Sequence, residues 1–119
     1  MIVYYNPRCS KCREAVELLE ENKCSFEIRK YLENAPSVAE LEALLKLLKC
    51  KPLDIVRKKE PLFLEKYEGK KMSDNKWLKV LSENPILIER PIVIDGKKAV
   101  IGRPPELVLN LIKNKSTKI

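Results

Sequence analysis

Two cysteines three residues apart, Cys9 and Cys12, lie in the segment Asn6-Pro7-Arg8-Cys9-Ser10-Lys11-Cys12. Cys9 follows a short apolar run, Ile2 to Tyr5, and precedes a stretch with helical spacing. Its sulfur therefore falls where the unpaired N–H groups and the positive dipole end of a helix stabilise a thiolate. Arg8, Lys11 and Arg13 are close in sequence and also favour the ionised form. The chemistry this implies is nucleophilic or redox chemistry at Cys9; the plainer alternative is a buried structural thiol. That alternative is stronger for Cys12, which shares the apolar side of the helix with Ala15, Val16 and Leu19. A disulfide between Cys9 and Cys12 is nevertheless geometrically possible at this spacing. Cys24 and Cys50 read as packing residues.

The chain has no histidine, which excludes histidine-based acid–base catalysis and the usual zinc-finger spacings. Cys24 and Cys50 do not supply the second close pair that a four-thiolate zinc site needs. No metal site is expected. Lys and Arg number 24 against 17 Asp and Glu, a net charge of +7. The excess is diffuse, with lysines and glutamates interleaved along solvated helix faces, so no direct nucleic-acid contact is expected.

Several elements must position these thiols. Ile2 to Tyr5 reads as a strand, Ser10 to Asn22 as an amphipathic helix and Ser25 to Arg29 as a second strand, an opening β-α-β unit that implies parallel pairing. Ser37-Val38-Ala39-Glu40 is a capping box, after which Leu41, Leu44, Leu45 and Leu48 recur at helical spacing. Pro52 and Pro61 break the next stretch, and Ser73 or Asp74 caps a further helix carrying Trp77, Leu78, Val80 and Leu81. Residues from about 34 to 84 thus read as a helical insert. Ile92 to Ile94 and Ala99 to Ile101 flank Asp95-Gly96, a strong hairpin signal. Pro104, Pro105 and Glu106 then open a last helix with Leu107, Val108, Leu111 and Ile112 on its buried face. The order β-α-β, insert, β-β-α describes an α/β fold with a four-stranded mixed sheet.

At 119 residues with 45% apolar content, one domain spanning residues 1–119 is expected, with disorder confined to the tail after Lys113. The N-terminus lacks a secretory pattern, and no apolar run approaches the roughly 20 residues needed to span a bilayer. A cytoplasmic location without membrane attachment is the expectation.

Beyond the cysteine segment, several ordered stretches are similar to the ArsC family of arsenate reductases that work with glutathione and glutaredoxin. They are Tyr5 to Lys11, Tyr31-Leu32-Glu33-Asn34-Ala35-Pro36, Arg57-Lys58-Lys59-Glu60-Pro61, Asn84 to Ile94, and Gly102-Arg103-Pro104-Pro105-Glu106. The resemblance implies a thioredoxin/glutaredoxin-like fold with a helical insertion. It also implies that Cys9 is the nucleophile and that Arg57, Arg90 and Arg103 bind the oxyanion. Guanidinium groups suit that task, since they neutralise an anion approaching a thiolate and offer paired donors to its oxygens. Pro91 matches the family's cis proline, expected to face Cys9. Arsenate is the implied substrate: Cys9 holds a thiol–arsenate adduct, glutathione attacks it as co-substrate, and glutaredoxin completes the reduction to arsenite, with no bound cofactor.

Two positions depart from the family pattern. Tyr5 stands where many members have histidine, leaving the helix terminus and cations to ionise Cys9. Cys12 is often serine in the reductases, whereas Spx-type transcription regulators of the same fold carry a Cys-X-X-Cys switch and bind RNA polymerase. Such a regulator is one alternative. A general thiol–disulfide reductase, with Cys12 resolving a mixed disulfide on Cys9, is another.

Overall fold

Short runs rich in Ile and Val pair only if turn residues bring them edge to edge, and the computed structural model shows which do. It describes residues 1–116, with side chains through residue 112. Two units divide the chain: Met1–Tyr31 together with Arg90–Ile119, and Leu32–Glu89.

The first unit holds the sheet. Strands β1 (Ile2–Tyr4), β2 (Glu27–Arg29), β3 (Ile92–Asp95) and β4 (Lys98–Ile101) lie in the order β2-β1-β3-β4. β1 pairs in parallel with β2, Val3 opposite Ile28, and antiparallel with β3, Val3 opposite Val93. The mixed four-stranded sheet and the thioredoxin-like class are those expected. Helix α1 (Ser10–Glu21) supplies the crossover between the parallel strands and buries Cys12, Ala15 and Leu19. These apolar positions recur at helical spacing, so Ala15 and Leu19 pack with Val3, Val93, Val108 and Leu111 in one cluster. Burying the valine and leucine side chains among them contributes about 1.5 to 3 kcal/mol each.

Local chemistry moves some boundaries. Asp95 and Lys98 are themselves paired, so the two-residue turn is Gly96-Lys97 and not Asp95-Gly96. Gly96 takes φ +60 at the first turn position, the requirement of a type II′ hairpin. After β4, the tandem prolines do not start an α-helix directly. Pro105–Val108 forms a 3-10 turn, with the Leu107 N–H donating to the Pro104 carbonyl at 3.0 Å, and α5 begins only at Leu109. Three residues per turn shift the phase of the side chains. Leu107, expected on the buried face, is consequently exposed, while Val108 and Leu111 are buried. The expected disorder after Lys113 concerns residues 114–119; α5 runs to Ser116, and residues 117–119 lie outside the described set.

The second unit is helical: α2 (Val38–Leu48), α3 (Pro61–Lys66) and α4 (Asp74–Glu83), with 3-10 turns at Pro52–Ile55 and Pro85–Leu87. The Ser37 and Glu40 capping box forms as the spacing predicts, and the Ser73 side chain caps α4. Trp77 packs against Phe63 and Tyr67. A single antiparallel bridge, Val56 to Ile88, ties the segment before α3 to the segment after α4.

Gly102 connects β4 to the arginine that follows it. Its N–H donates to the Pro91 carbonyl at 2.8 Å, and a Cβ there would lie 2.9 Å from Pro91 Cγ and 3.1 Å from Val108 Cγ1. A glycine is required by this close approach. Gly102→Ala should therefore lower stability by about 1 to 3 kcal/mol in urea unfolding followed by circular dichroism. Unfolding indistinguishable from that of the unsubstituted protein would mean that the contact yields without cost.

Candidate functional site

The loop from β1 to α1 is folded by its own polar groups. Asn6 Oδ1 accepts from the Arg8 N–H at 3.0 Å, and the Asn6 carbonyl accepts from the Cys9 N–H at 2.9 Å. Asparagine supplies such local bonds readily, which makes a tight turn of Asn6-Pro7-Arg8. Cys9 becomes the N-cap residue of α1, with extended backbone angles and its carbonyl accepting from the Arg13 N–H at 3.2 Å. A cap oxygen would ordinarily accept from the first free N–H groups of the helix. Here a sulfur takes that place; it makes no side-chain cap hydrogen bond, and the nearby Cys12 backbone N–H acts on it by lowering the thiol's pKa.

Two arginines from the far end of the chain meet this sulfur. Arg90, just before β3, brings its guanidinium close enough to Cys9 to favour the ionised sulfur. Arg103, just after β4, places Nη2 4.0 Å from Cys9 Sγ while its Nε donates to the Arg90 carbonyl at 2.6 Å. Both arginines precede a proline in a cis peptide bond, Pro91 and Pro104, and Pro91 is buried.

The electrostatics separate the two thiols. Cys9 is only 6% exposed, and this burial by itself raises its pKa. The Cys12 backbone N–H, the Arg90 guanidinium and the Cys12 thiol outweigh it, and Cys9 lies below the ordinary thiol value. Cys12, fully buried, is pushed up to about 12, first by burial and then by the neighbouring Cys9 thiolate. Arg90 is held charged despite its own burial, mainly by the neighbouring Cys9 and Tyr31.

The expectation about nearby cations changes here. Arg8 is exposed, Lys11 pairs with Glu14 at 3.5 Å, and Arg13 donates to the Pro7 carbonyl at 2.8 Å. The cation that stabilises the Cys9 thiolate is Arg90, which reaches it through the sheet. Tyr31, a residue of the Tyr31-to-Pro36 motif, is fully buried, stacks on Tyr4 at 6.1 Å between ring centroids, and supports Arg90. No local spacing signals that role. Tyr5, standing in the place of histidine, packs against the core cluster of the sheet.

Arg57 belongs to the second unit. Its Nη1 lies 2.6 Å from Glu60 Oε2 and its Nε 4.0 Å from Glu89 Oε1. Its backbone N–H donates to the Leu87 carbonyl at 2.8 Å, beside the Val56 to Ile88 bridge. That unit also carries a surface cavity of about 490 Å³ between α2 and α4, with Leu45, Lys46, Cys50 and Leu78 among its lining residues. Cys24 and Cys50 are half-buried, and Cys24 packs against the core cluster of the sheet as expected. Among the described residues, no three Cys, Asp or Glu side chains gather in a way that could hold a metal ion. Nor is any helix there long and apolar enough to cross a membrane.

The chain that carries this thiolate and these arginines is similar to known proteins along most of its length. The family described as ArsC matches residues 4–111, and the chain belongs to it. An arsenate reductase of Haemophilus influenzae is 41% identical over 114 residues, covering 94% of this chain and 98% of that one. The solved structure of an arsenate reductase from Vibrio cholerae superposes with a TM-score of 0.88 at 42% identity, covering 92% of this chain and 94% of that one. The global transcriptional regulator Spx 2 of Bacillus anthracis is more distant, 28% identical over 103 residues, covering 86% of this chain and 79% of that protein.

Alkylation by iodoacetamide, read peptide by peptide, should modify Cys9 with a pH midpoint below the usual thiol value of about 8.5. Replacing Arg90 with alanine removes the guanidinium beside the thiolate and should raise that midpoint. A Cys9 midpoint at or above the ordinary value, unmoved in Arg90→Ala, would contradict this electrostatic account.

Proposed function

We propose that this protein reduces arsenate to arsenite through a covalent adduct on Cys9. The single observation that supports it most is the pairing of an ionised, enclosed sulfur with Arg90 and Arg103, in a chain of the ArsC family. Arsenate carries negative charge, and so does the thiolate that must attack it. Converging guanidinium groups reduce that repulsion and orient the oxygens by paired hydrogen bonds. As sulfur bonds to arsenic and an oxygen ligand departs as water, charge shifts onto the remaining oxygens, where the same donors are most useful.

Arg57 is assigned the third oxyanion contact on its match to the family motif alone. Glu60 at its Nη1 and Glu89 near its Nε compete with an anion for this guanidinium. Pro91 is assigned the role of the family's cis proline facing Cys9. Arsenic accepts two electrons on going from arsenate to arsenite, and two thiols becoming one disulfide supply them. In our reading, glutathione is the co-substrate that brings the second thiol, and glutaredoxin is the partner that returns the resulting disulfide.

In a coupled assay with glutathione, glutaredoxin and a recycling system, the protein should consume reducing equivalents only when arsenate is present. Cys9→Ser should abolish this, and Arg90→Ala or Arg103→Ala should each lower kcat/KM on the order of 100-fold. Full activity in Cys9→Ser would reject the nucleophile assignment. No turnover in the unsubstituted protein, together with capture of RNA polymerase, would replace the enzyme reading with that of a redox-switched regulator.

A further inference from the structure

Cys12 is the buried nucleophilic group that the chemistry so far leaves unused. It lies one turn from Cys9 at the start of α1, buried on the same helix start, and the charge on Cys9 acts directly on it. Residues three apart at a helix start are neighbours on one face, a placement compatible with the Cα separation that disulfides adopt, about 4.4 to 6.8 Å. Cys9 is 6% exposed and Cys12 is fully covered. An external thiol must enter a nearly closed site to reach the adduct, whereas Cys12 needs no entry. A group held in place in this way acts at an effective concentration far above that of any free thiol.

We propose that Cys12 is an internal resolving thiol, able to complete the reduction of arsenate on Cys9 without glutathione. This inference rests on the reading above, that arsenic is carried by Cys9. In the step, the Cys12 sulfur attacks Cys9 Sγ and a sulfur–sulfur bond forms. The Cys9 sulfur–arsenic bond breaks with its electron pair left on arsenic, and the Cys12 proton passes to a departing arsenite oxygen. In total, two thiols and one arsenate give one disulfide, one arsenite and one water. The product is a Cys9–Cys12 disulfide, whose reductant is by chemical class an external dithiol protein able to enter by exchange. Glutathione becomes an alternative second thiol.

The electrostatics set the order of events. Part of what keeps the Cys12 proton in place is the negative charge of the Cys9 thiolate. Once Cys9 is bonded to arsenic, that charge is gone from its sulfur, and Cys12 ionises more readily while Arg90 remains beside it. Cys12 is thus held back until the adduct exists. Cys24 has no such position, its sulfur being directed at the Asn22 carbonyl at 3.8 Å.

The test is a single turnover with fully reduced protein freed of small thiols and given arsenate alone. The unsubstituted protein should release one arsenite per chain, lose two thiols and yield a Cys9–Cys12 disulfide peptide by mass spectrometry. Cys12→Ser, which keeps the backbone N–H that stabilises Cys9, should release arsenite on the order of 100-fold more slowly. Added glutathione should restore its arsenite formation, which also demonstrates that the variant is folded. If the unsubstituted protein releases arsenite only after glutathione is added, the inference falls while the proposed function stands. Arsenite release by Cys12→Ser at the unsubstituted rate without glutathione would equally overturn it. No arsenite from either protein, with or without glutathione and glutaredoxin, would overturn both.

Discussion

Keeping a negative charge on an enclosed sulfur is the constraint from which the rest of this molecule's architecture can be understood. Burial opposes the Cys9 thiolate more than any other single influence acting on it. A helix terminus alone contributes modestly, about 0.3 to 1 kcal/mol for an exposed charge and up to about 2 in partly buried geometries. The thiolate persists because a backbone N–H from α1 and a guanidinium from Arg90 act on it together. Removing either leaves the desolvation only partly compensated.

The fold supplies those groups from three separate stretches of chain. The β1 to α1 turn presents the sulfur, the start of β3 presents Arg90, and the residue after β4 presents Arg103. Antiparallel pairing of β1 with β3 and of β3 with β4 brings these ends side by side. Two further contacts lock the arginines to one another: the Arg103 Nε bond to the Arg90 carbonyl, and the seat of Gly102 against Pro91. A side chain at residue 102 would press on Pro91 and Val108, next to both arginine-bearing segments. The tolerance of the site for change is therefore set by backbone packing as much as by the charged groups themselves.

Much of this was legible from residue patterns, and the exceptions have physical causes. Helical spacing and capping chemistry are local properties, so α1, α2 and α4 emerge within a residue or two. Cys9 was recognisable because strand, turn and helix signals are contiguous around it. Arg8, Lys11 and Arg13 differ from expectation because nearness along the chain says nothing about direction; they are turned to solvent or to other partners. Arg90 acts across the sheet, and its reach depends on tertiary pairing that no short window contains. Leu107 failed for a different reason, since a 3-10 turn breaks the 3.6-residue phase on which burial was assigned. The carboxylates held by Arg57 were similarly hidden, Glu89 being remote in sequence and brought close by the bridge at Val56 and Ile88.

A crystal structure of the Cys9→Ser variant soaked with arsenate addresses the central claim most directly, because the serine can mark the site without reacting. A tetrahedral anion should lie beside the residue 9 hydroxyl, its oxygens within hydrogen-bonding reach of the Arg90 and Arg103 guanidinium groups. An anion bound elsewhere, with those two arginines turned away from residue 9, would contradict that claim.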